Sequence, residues 1–256
     1  MTRTRLCLAL TVLVSLVGCT SAEHQSPDAH HDPHFSYEGE AGPSHWGDLS
    51  EKWELARTGR RQSPVDLNDP TAEAGPPLRL SYRAAPLEIV NNGHAVQVNY
   101  AAGSQMVVGA EVFALKQFHF HTPSEHTIDG RQAPMEVHLV HANAAGELAV
   151  LGVMVEEGAE NPFLAQFWGV LPEVEGPSER HAGIQVDVSD FLPKNHASYR
   201  YSGSLTTPPC SENVDWIVLR TPVQASRAQI AKLHGITGKN ARPVQPLNDR
   251  QADLIR

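Results

Sequence analysis

Strict alternation of side-chain type along residues 111–121 is the feature that most constrains the fold. In Glu111–His121 (EVFALKQFHFH) apolar and polar residues alternate with period two, which is typical of a β-strand with two different faces. Phe118 and Phe120 are predicted to point into a core. The opposite face is predicted to carry the alternate residues, namely Phe113, Leu115, Gln117, His119 and His121.

A second strand is predicted to bring a third histidine to the same place. Met135–His141 is another strand-like segment, and its alternation puts Glu136, His138 and Val140 on one side. A hairpin-like return would set His138 beside His119 and His121. Breaker residues between the two segments favour such a return, and they are Pro123, Asp129, Gly130 and Pro134.

Three converging imidazoles predict a catalytic zinc site, because zinc held by three protein ligands keeps a fourth position open for water. Gln117 and Glu136 each lie two residues before a predicted ligand on the same face, where they can accept the second ring N–H. A pair of histidines two apart also fits a solvated strand face, so His138 and the two acceptors carry the argument. His126 and His141 fit structural, hydrogen-bonded histidines better than ligands.

Length and composition predict a single β-rich domain. The chain has 256 residues, 41% of them hydrophobic, which is enough for one large core. Short strand-like segments separated by 19 Gly and 19 Pro favour a mainly β fold with short peripheral helices. Helices are predicted only at Asn161–Gly169, Val188–Leu192 and Ser226–His234, the last capped by its serine.

The N-terminus is predicted to be a targeting segment. Arg3 and Arg5 precede an apolar run, and Leu16-Val-Gly-Cys19 resembles a bacterial lipobox, so residues 1–18 are expected to be a lipoprotein-type signal peptide. Cys19 is then lipidated, and the protein is exported to the periplasm or cell surface and anchored to a bacterial membrane through lipid alone. An ordinary secretory peptide is the alternative.

Polar residues 19–36 are predicted to form a flexible tether in front of a domain at 37–256. The histidines of the tether either bind zinc and supply it to the site or are simply exposed to solvent. They are His24, His30, His31 and His34. The formal charge of -9 becomes -11 when Arg3 and Arg5 are removed, which argues against nucleic acid as a partner. The oligomeric state is not decided, and a homodimer stays open.

Seven motifs in order give the chain a family resemblance. They are Gln62-Ser-Pro-Val-Asp66, Asn91-Asn-Gly-His-Ala95, Gln117-Phe-His-Phe-His121, Ser124-Glu-His-Thr127, Glu136-Val-His-Leu-Val-His141, Ser204-Leu-Thr-Thr-Pro-Pro-Cys-Ser-Glu212 and Arg242-Pro-Val-Gln-Pro246. Because of these motifs, the sequence between about Tyr37 and Arg250 resembles the α-class carbonic anhydrases.

This resemblance implies a large twisted, largely antiparallel sheet of about ten strands in one domain. It also implies reversible hydration of carbon dioxide to bicarbonate and a proton, with zinc hydroxide as the nucleophile. His119, His121 and His138 match the family's zinc ligands. Thr206 matches the hydroxyl that orients the nucleophile and passes its own proton toward Glu125.

Further site residues follow from the same resemblance. His94 matches the histidine that shuttles protons to buffer. Thr207 matches a position near bicarbonate, and aromatic sulfonamides are expected as inhibitors. The substrate-pocket matches are Val140, Val150, Leu205, Val214 and Trp216; the water-network matches are Tyr37, Asn92 and Gln97. The sequence departs from the family pattern at one disulfide. In many exported relatives the cysteine that matches Cys210 pairs with a second cysteine, and Ala56 occupies the position of that second cysteine here. Cys210 is therefore expected to be a free thiol.

Two rival interpretations belong to other functional classes. His119-x-His121 followed by Glu125 also resembles a cupin motif, in which Glu125 would be a fourth ligand of iron or manganese. That interpretation leaves the motif around Thr206 unused. A surface-tethered zinc-binding or adhesion protein is the other rival.

Overall fold

Strands dominate the structure, a computed structural model that describes residues 33–68 and 70–256. These residues belong to one compact unit, Pro33–Arg256. The predicted signal peptide, Cys19 and most of the predicted tether lie outside the described residues. The strands are β1 (Thr71–Glu73), β2 (Leu78–Ser81), β3 (Ala85–Asn91), β4 (Val96–Asn99), β5 (Gln105–Val108), β6 (Glu111–His121), β7 (Thr127–Ile128), β8 (Arg131–Gln132), β9 (Met135–Ala142), β10 (Leu148–Glu157), β11 (Glu179–Val186), β12 (Ser198–Ser204), β13 (Glu212–Ala225) and β14 (Asp253–Ile255).

Helices are short and peripheral, and those of the described residues include the three predicted regions. The α-helices are α1 (Trp46–Leu49), α2 (Leu55–Thr58), α3 (Pro162–Ala165) and α4 (Arg227–Thr237), and the 3-10 turns are Gly39–Ala41, Glu51–Trp53, Trp168–Val170 and Val188–Phe191. Ser226 caps α4 as expected, because its hydroxyl accepts from Gln229 N while the Gln229 side chain accepts from Ser226 N. The turns before residue 60 were not predicted. In the described part of the chain, no helix has the length and apolarity that crossing a membrane requires.

One mixed sheet runs through the domain. Its strands are ordered β1-β14-β12-β13-β10-β9-β6-β4-β3-β11, and β5 joins β2 to β6. The pairs β1·β14 and β10·β13 are parallel, and the other pairs of this sheet are antiparallel. The prediction of a large, largely antiparallel sheet of about ten strands in a single mainly β domain is confirmed. A separate hairpin joins β7 to β8.

The main hydrophobic core lies on one side of the sheet and includes Phe118 and Phe120, both fully buried as predicted. Phe118 packs against Phe163 of α3, with ring centroids 6.0 Å apart. A second, smaller hydrophobic cluster contains Trp216 and Val150. Strands β6 and β9 therefore present an apolar face to the main core and a different face to the other side.

A β-bulge changes the alternation within β6. Leu115 pairs with His141 of β9, but Gln117 pairs with Val140, so Lys116 is an extra residue in the ladder. Phe113 and Leu115 consequently lie in the main core with Phe118. The prediction that Phe113 and Leu115 share the histidine face was wrong, because one inserted residue reverses the faces of everything before it.

Candidate metal centre

The three predicted ligands come from two neighbouring strands in the middle of the sheet. His119 of β6 lies directly opposite His138 of β9, and His121 lies opposite Glu136. The predicted hairpin-like return is therefore present, with β7 and β8 inserted between the strands. One ligand atom from each histidine lies within 4.8 Å of those of the other two.

Each imidazole uses one nitrogen for a hydrogen bond and keeps the other free. His119 Nδ1 donates to Gln117 Oε1 (2.8 Å), and His138 Nε2 donates to Glu136 Oε1 (2.9 Å), as the sequence predicted. His121 Nδ1 donates to the backbone oxygen of Asn240 (2.7 Å). The nitrogens that remain are His119 Nε2, His121 Nε2 and His138 Nδ1.

Burial keeps these rings neutral and ready to bind a metal. Desolvation lowers the pKa of His121 and His138, and it lowers that of His119 well below its usual value. His121 Nε2 is buried and has no hydrogen-bond partner among the described residues. A buried lone pair that nothing satisfies is costly, so this nitrogen fits a metal ligand. Three neutral imidazoles with fixed second nitrogens match the donor set of catalytic zinc.

Glu136 accepts four hydrogen bonds and so fixes the ligand His138 relative to neighbouring backbone and side-chain groups. Its Oε2 accepts from the backbone N–H groups of Glu125 and His126 (both 2.9 Å). Its Oε1 accepts from His126 Nδ1 (2.8 Å) as well as from His138. Burial opposes ionisation, but His126 and His138 hold the pKa of Glu136 well below its usual value.

His126 is a structural residue, as predicted. Its other nitrogen lies 2.7 Å from the Tyr201 hydroxyl, which donates to Ser63 Oγ (2.9 Å). Both ring nitrogens are therefore engaged. His126, Glu136 and His138 also lie close together, but the hydrogen bonds of Glu136 to the two rings account for this proximity.

Glu125 lies beside the three histidines but is held by another element. Its Oε1 accepts from Arg242 N (2.8 Å), and its Oε2 lies 3.5 Å from His121 Nε2 and 3.8 Å from His138 Nδ1. Burial raises the pKa of Glu125 to about 7, while His138 and the Thr206 hydroxyl lower it. The Thr206 hydroxyl is therefore close to this carboxylate, while Oε2 is buried and has no hydrogen-bond partner among the described residues.

The predicted pocket residues come together on the histidine side of the sheet. The second hydrophobic cluster contains all five of them, namely Val140, Val150, Leu205, Val214 and Trp216. Val140 and Leu205 are only partly buried, so they can face a small apolar ligand. The Trp216 ring lies edge-on to His138, with centroids 4.8 Å apart. Thr207 is partly buried, and its backbone oxygen accepts from Cys210 N (2.9 Å).

His94 lies on a tight turn outside the histidine cluster. Gly93 adopts φ +83°, and Asn92 Oδ1 accepts from the backbone N–H groups of His94 (3.0 Å) and Ala95 (2.8 Å). The His94 ring stacks on Phe35, with centroids 3.7 Å apart and planes at 10°. Desolvation, followed by the nearby His34, lowers its pKa.

The remaining water-network residues occupy different surroundings. The Tyr37 hydroxyl is buried without a hydrogen-bond partner among the described residues, which suits contact with ordered water. Gln97 pairs with His119 across β4 and β6, and its Nε2 donates to Asn99 Oδ1 (2.7 Å). Asn92 uses its Oδ1 on the backbone, so the structure gives it a turn-forming role.

Comparisons with known proteins agree with this geometry. Residues 41–254 match the eukaryotic-type carbonic anhydrase family. The chain belongs to the α-class carbonic anhydrases. A carbonic anhydrase of Nostoc sp. is 46% identical over 249 residues, which cover 95% of this chain and 93% of the relative.

Two solved structures share the fold. The α-carbonic anhydrase of Thermovibrio ammonificans in complex with the inhibitor sulfanilamide is 45% identical, with a TM-score of 0.82 over 86% of this chain and 98% of that one. The α-carbonic anhydrase of Photobacterium profundum is 43% identical, with a TM-score of 0.80 over 86% and 99%. The predicted family and the prediction that the chain is a carbonic anhydrase enzyme are confirmed. The cupin and non-enzymatic interpretations are thereby set aside.

Two supports of the carbonic anhydrase site were missed by sequence reasoning. Asn240 supplies the acceptor for His121, and Tyr201 with Ser63 fixes His126. Asn240 stands just before the motif that begins at Arg242, so the motif marked the segment but not the residue. No periodic signal points to either contact.

The expected free thiol is present. Cys210 is buried and has no disulfide partner within the described part of the chain, and Gln62 Nε2 donates to its backbone oxygen (3.0 Å). The Ala56 backbone oxygen accepts from Arg242 Nη2 (3.2 Å), and Arg242 also lies over the Trp46 ring at 5.6 Å. Hydrogen bonds and packing therefore join these segments in place of a covalent link.

Proposed function

We propose that this carbonic anhydrase hydrates carbon dioxide reversibly at a zinc ion held by His119, His121 and His138. The observation that carries the proposal is the convergence of three free imidazole nitrogens whose partner nitrogens are all hydrogen-bonded. Zinc in such a site lowers the pKa of a bound water to about 7, a value for which this enzyme family is itself the standard example. Neutral ligands leave the metal's full charge available for that purpose.

Thr206 and Glu125 orient the attacking oxygen. The backbone N–H of Arg242 fixes one oxygen of Glu125, and the Thr206 hydroxyl lies close enough to this carboxylate to donate its proton to it. A hydroxyl that donates its proton to a carboxylate can only accept from the nucleophile, so one lone pair is aimed at the substrate carbon. Thr206 is therefore the orienting residue and Glu125 its fixed acceptor.

The second hydrophobic cluster supplies the wall for an apolar substrate. Carbon dioxide has no net charge, so burial against side chains such as Val140, Leu205 and Trp216 suits it better than a charged group. Thr207 lies next to Thr206 and offers a hydroxyl to the charged product.

His94 carries the proton from the site to buffer. An imidazole titrates near neutral pH, and this one lies on a turn with access to solvent. Tyr37 lines the same cavity as His94, and Gln97 lies opposite His119 across β4 and β6, so both residues suit a role in the path of the proton. His94→Ala is expected to lower kcat in weak buffer, with added imidazole restoring it; buffer-independent kcat would assign the shuttle to another residue.

Stopped-flow hydration of carbon dioxide tests the main proposal. His138→Ala should lose both bound zinc and activity, because a third of the ligand set is gone. His45→Ala is the matched control, since His45 is exposed and makes no side-chain cap bond at α1. Sulfanilamide should inhibit the zinc-loaded enzyme. Full activity of His138→Ala would rule the mechanism out.

We also propose that the enzyme is exported and anchored through lipid on Cys19. The support is the sequence of residues 1–19 alone, with a basic start, an apolar run and a lipobox-like end. Labelling with a radioactive fatty acid tests it, with Cys19→Ala as control. Label that persists in the control variant would contradict lipidation at this residue.

A further inference from the structure

Asn240 links two parts of the site that are far apart in sequence. It follows α4, is fully buried, and uses both its backbone and its side chain in hydrogen bonds. Its sequence separation from His121 is 119 residues, and from His94 it is 146 residues.

Four of its hydrogen bonds go to the end of β6. The backbone oxygen accepts from His121 Nδ1 (2.7 Å), and Oδ1 accepts from Thr122 N (2.8 Å). The backbone N–H donates to the Thr122 oxygen (3.2 Å), and Nδ2 donates to the Phe120 oxygen (2.9 Å). Asn240 is therefore fixed relative to the metal ligands.

A fifth hydrogen bond reaches the turn that carries the shuttle. Asn240 Nδ2 also donates to the backbone oxygen of His94 (3.0 Å). Within the turn, Asn91 Oδ1 accepts from Gly93 N and Asn92 Oδ1 accepts from His94 N. The turn also joins β3 to β4, and β4 pairs with β6, where Gln97 lies opposite His119. The Asn240 amide adds a direct hydrogen bond from the segment after α4 to the backbone of His94 itself, which lies outside that ladder.

The side chain of His94 is restrained by other groups. Its ring stacks on Phe35 at 3.7 Å and lies 5.6 Å from the His34 ring. The charged groups near it include Glu175, which lies beside Gly93, and Glu38 and Lys239, which line the same cavity of about 450 Å³. These contacts restrain the ring, whereas Asn240 restrains the backbone.

We infer that Asn240 is a positioning residue for proton transfer, whose side-chain amide fixes the backbone of His94 relative to the metal centre. The inference rests on the proposed role of His94 as the shuttle. A proton crosses to an acceptor through hydrogen-bonded water only when the chain of bonds is unbroken, and a shift of about 1 Å far from the chemistry can cost up to about a hundredfold in rate. When the side-chain amide is removed, the backbone oxygen of residue 240 can still accept from His121 Nδ1. Substitution of the side chain can therefore affect proton transfer without affecting metal binding.

Asn240→Ala in the zinc-loaded enzyme tests the inference. We expect kcat in weak buffer to fall roughly tenfold, within the range known for misplaced catalytic groups. Added imidazole should restore it, and kcat/KM and zinc content should stay near wild type, because the ligand hydrogen bond comes from the backbone. A merely structural role would not give this split between kcat and kcat/KM.

Asn161→Ala is the matched control. Asn161 is also buried, caps α3 through Phe163 N and Leu164 N, and donates to the Gln224 oxygen. Its removal should lower stability without buffer-dependent kcat. If Asn240→Ala does not fold, Asn240→Ser keeps an uncharged hydroxyl in the site and lacks the amide that donates to His94 and Phe120, and the same loss in weak buffer is expected.

The outcomes separate this inference from the proposed function. Wild-type kcat in weak buffer for the Asn240 variants, together with a slow His94→Ala enzyme, would overturn the inference alone. A fall of kcat, kcat/KM and zinc content together, without rescue by imidazole, would also overturn it in favour of simple support of the metal site. A His94→Ala enzyme unaffected in weak buffer would remove both the shuttle and the inference.

Discussion

Replacement of Glu136 by glutamine should weaken zinc binding through the tautomer of His138. Glu136 is fully buried and accepts four hydrogen bonds, two on each oxygen. Glutamine has only one oxygen, so its NH₂ group must face two of the four donors. Facing the backbone N–H groups of Glu125 and His126 is the worse choice, because those donors cannot change.

The glutamine NH₂ therefore faces His126 and His138. His126 can move its proton to Nε2 and donate to the Tyr201 hydroxyl, 2.7 Å away. His138 can adapt only by carrying its proton on Nδ1, the nitrogen that must be free for the metal. Loss of the acceptor that binds the second N–H of a metal-ligating histidine typically lowers metal affinity by about 10- to 100-fold, which is about 1.4 to 2.7 kcal/mol, and we expect this range for Glu136→Gln.

Competition for zinc with a chelator of known affinity measures the effect of Glu136→Gln directly. Glu88→Gln is the control, because Glu88 also accepts several hydrogen bonds, from Arg180, Asn99 and Ser178, but lies at the sheet surface. The control should bind zinc like wild type. An unchanged zinc affinity of Glu136→Gln would refute the tautomer argument.

Three further predictions concern stability and reactivity. Phe118→Ala should lower the free energy of unfolding by about 3 to 5 kcal/mol, because it empties a fully buried site; a urea-denaturation loss below about 1 kcal/mol would contradict this. Burial lowers the pKa of His141 from 6.5 to about 4. The unfolded chain therefore binds a proton that the folded chain does not bind as pH falls from 6.5 to 4, so the free energy of unfolding decreases over this range. His141→Gln should make this decrease smaller by about 3 kcal/mol. A variant whose free energy of unfolding depends on pH as in wild type would count against this prediction. Burial raises the pKa of Cys210 to about 11, so its thiol should not react in the folded protein. Wild type and Cys210→Ala should therefore show equal numbers of reactive thiols when folded and should differ by one only after unfolding. A difference between the folded proteins would show that Cys210 is accessible to the reagent.

Alternation along the sequence predicted the parts of the site that depend on strand geometry. It placed His119, His121 and His138 on one face and Phe118 in the core, because side chains in a regular strand must alternate. It failed before Lys116, since a bulge inserts one residue and nothing in the composition of EVFALKQ marks the insertion. Regular geometry is therefore readable from one sequence, but its interruptions are not.

Contacts across long sequence separations needed the structure. Asn240 reaches His121 from the end of α4, and no local pattern encodes that meeting. The short turns near Trp46 are held by packing on Phe35 and by Arg242, not by helix propensity, so propensity could not predict them. Thr206 and His94 came from motif resemblance, because a threonine or a histidine in a loop has no period to reveal its role.

Because the two strands that carry the ligands lie in the interior of the sheet, the metal site should be lost only when the whole domain unfolds. β6 is flanked by β4 and β9, and β9 by β6 and β10, so neither strand is an edge that can fray by itself. Amide hydrogens of His119 and His138 should therefore exchange with deuterated solvent only through global opening. Storage conditions that slow unfolding should preserve the enzyme's metal content to the same extent.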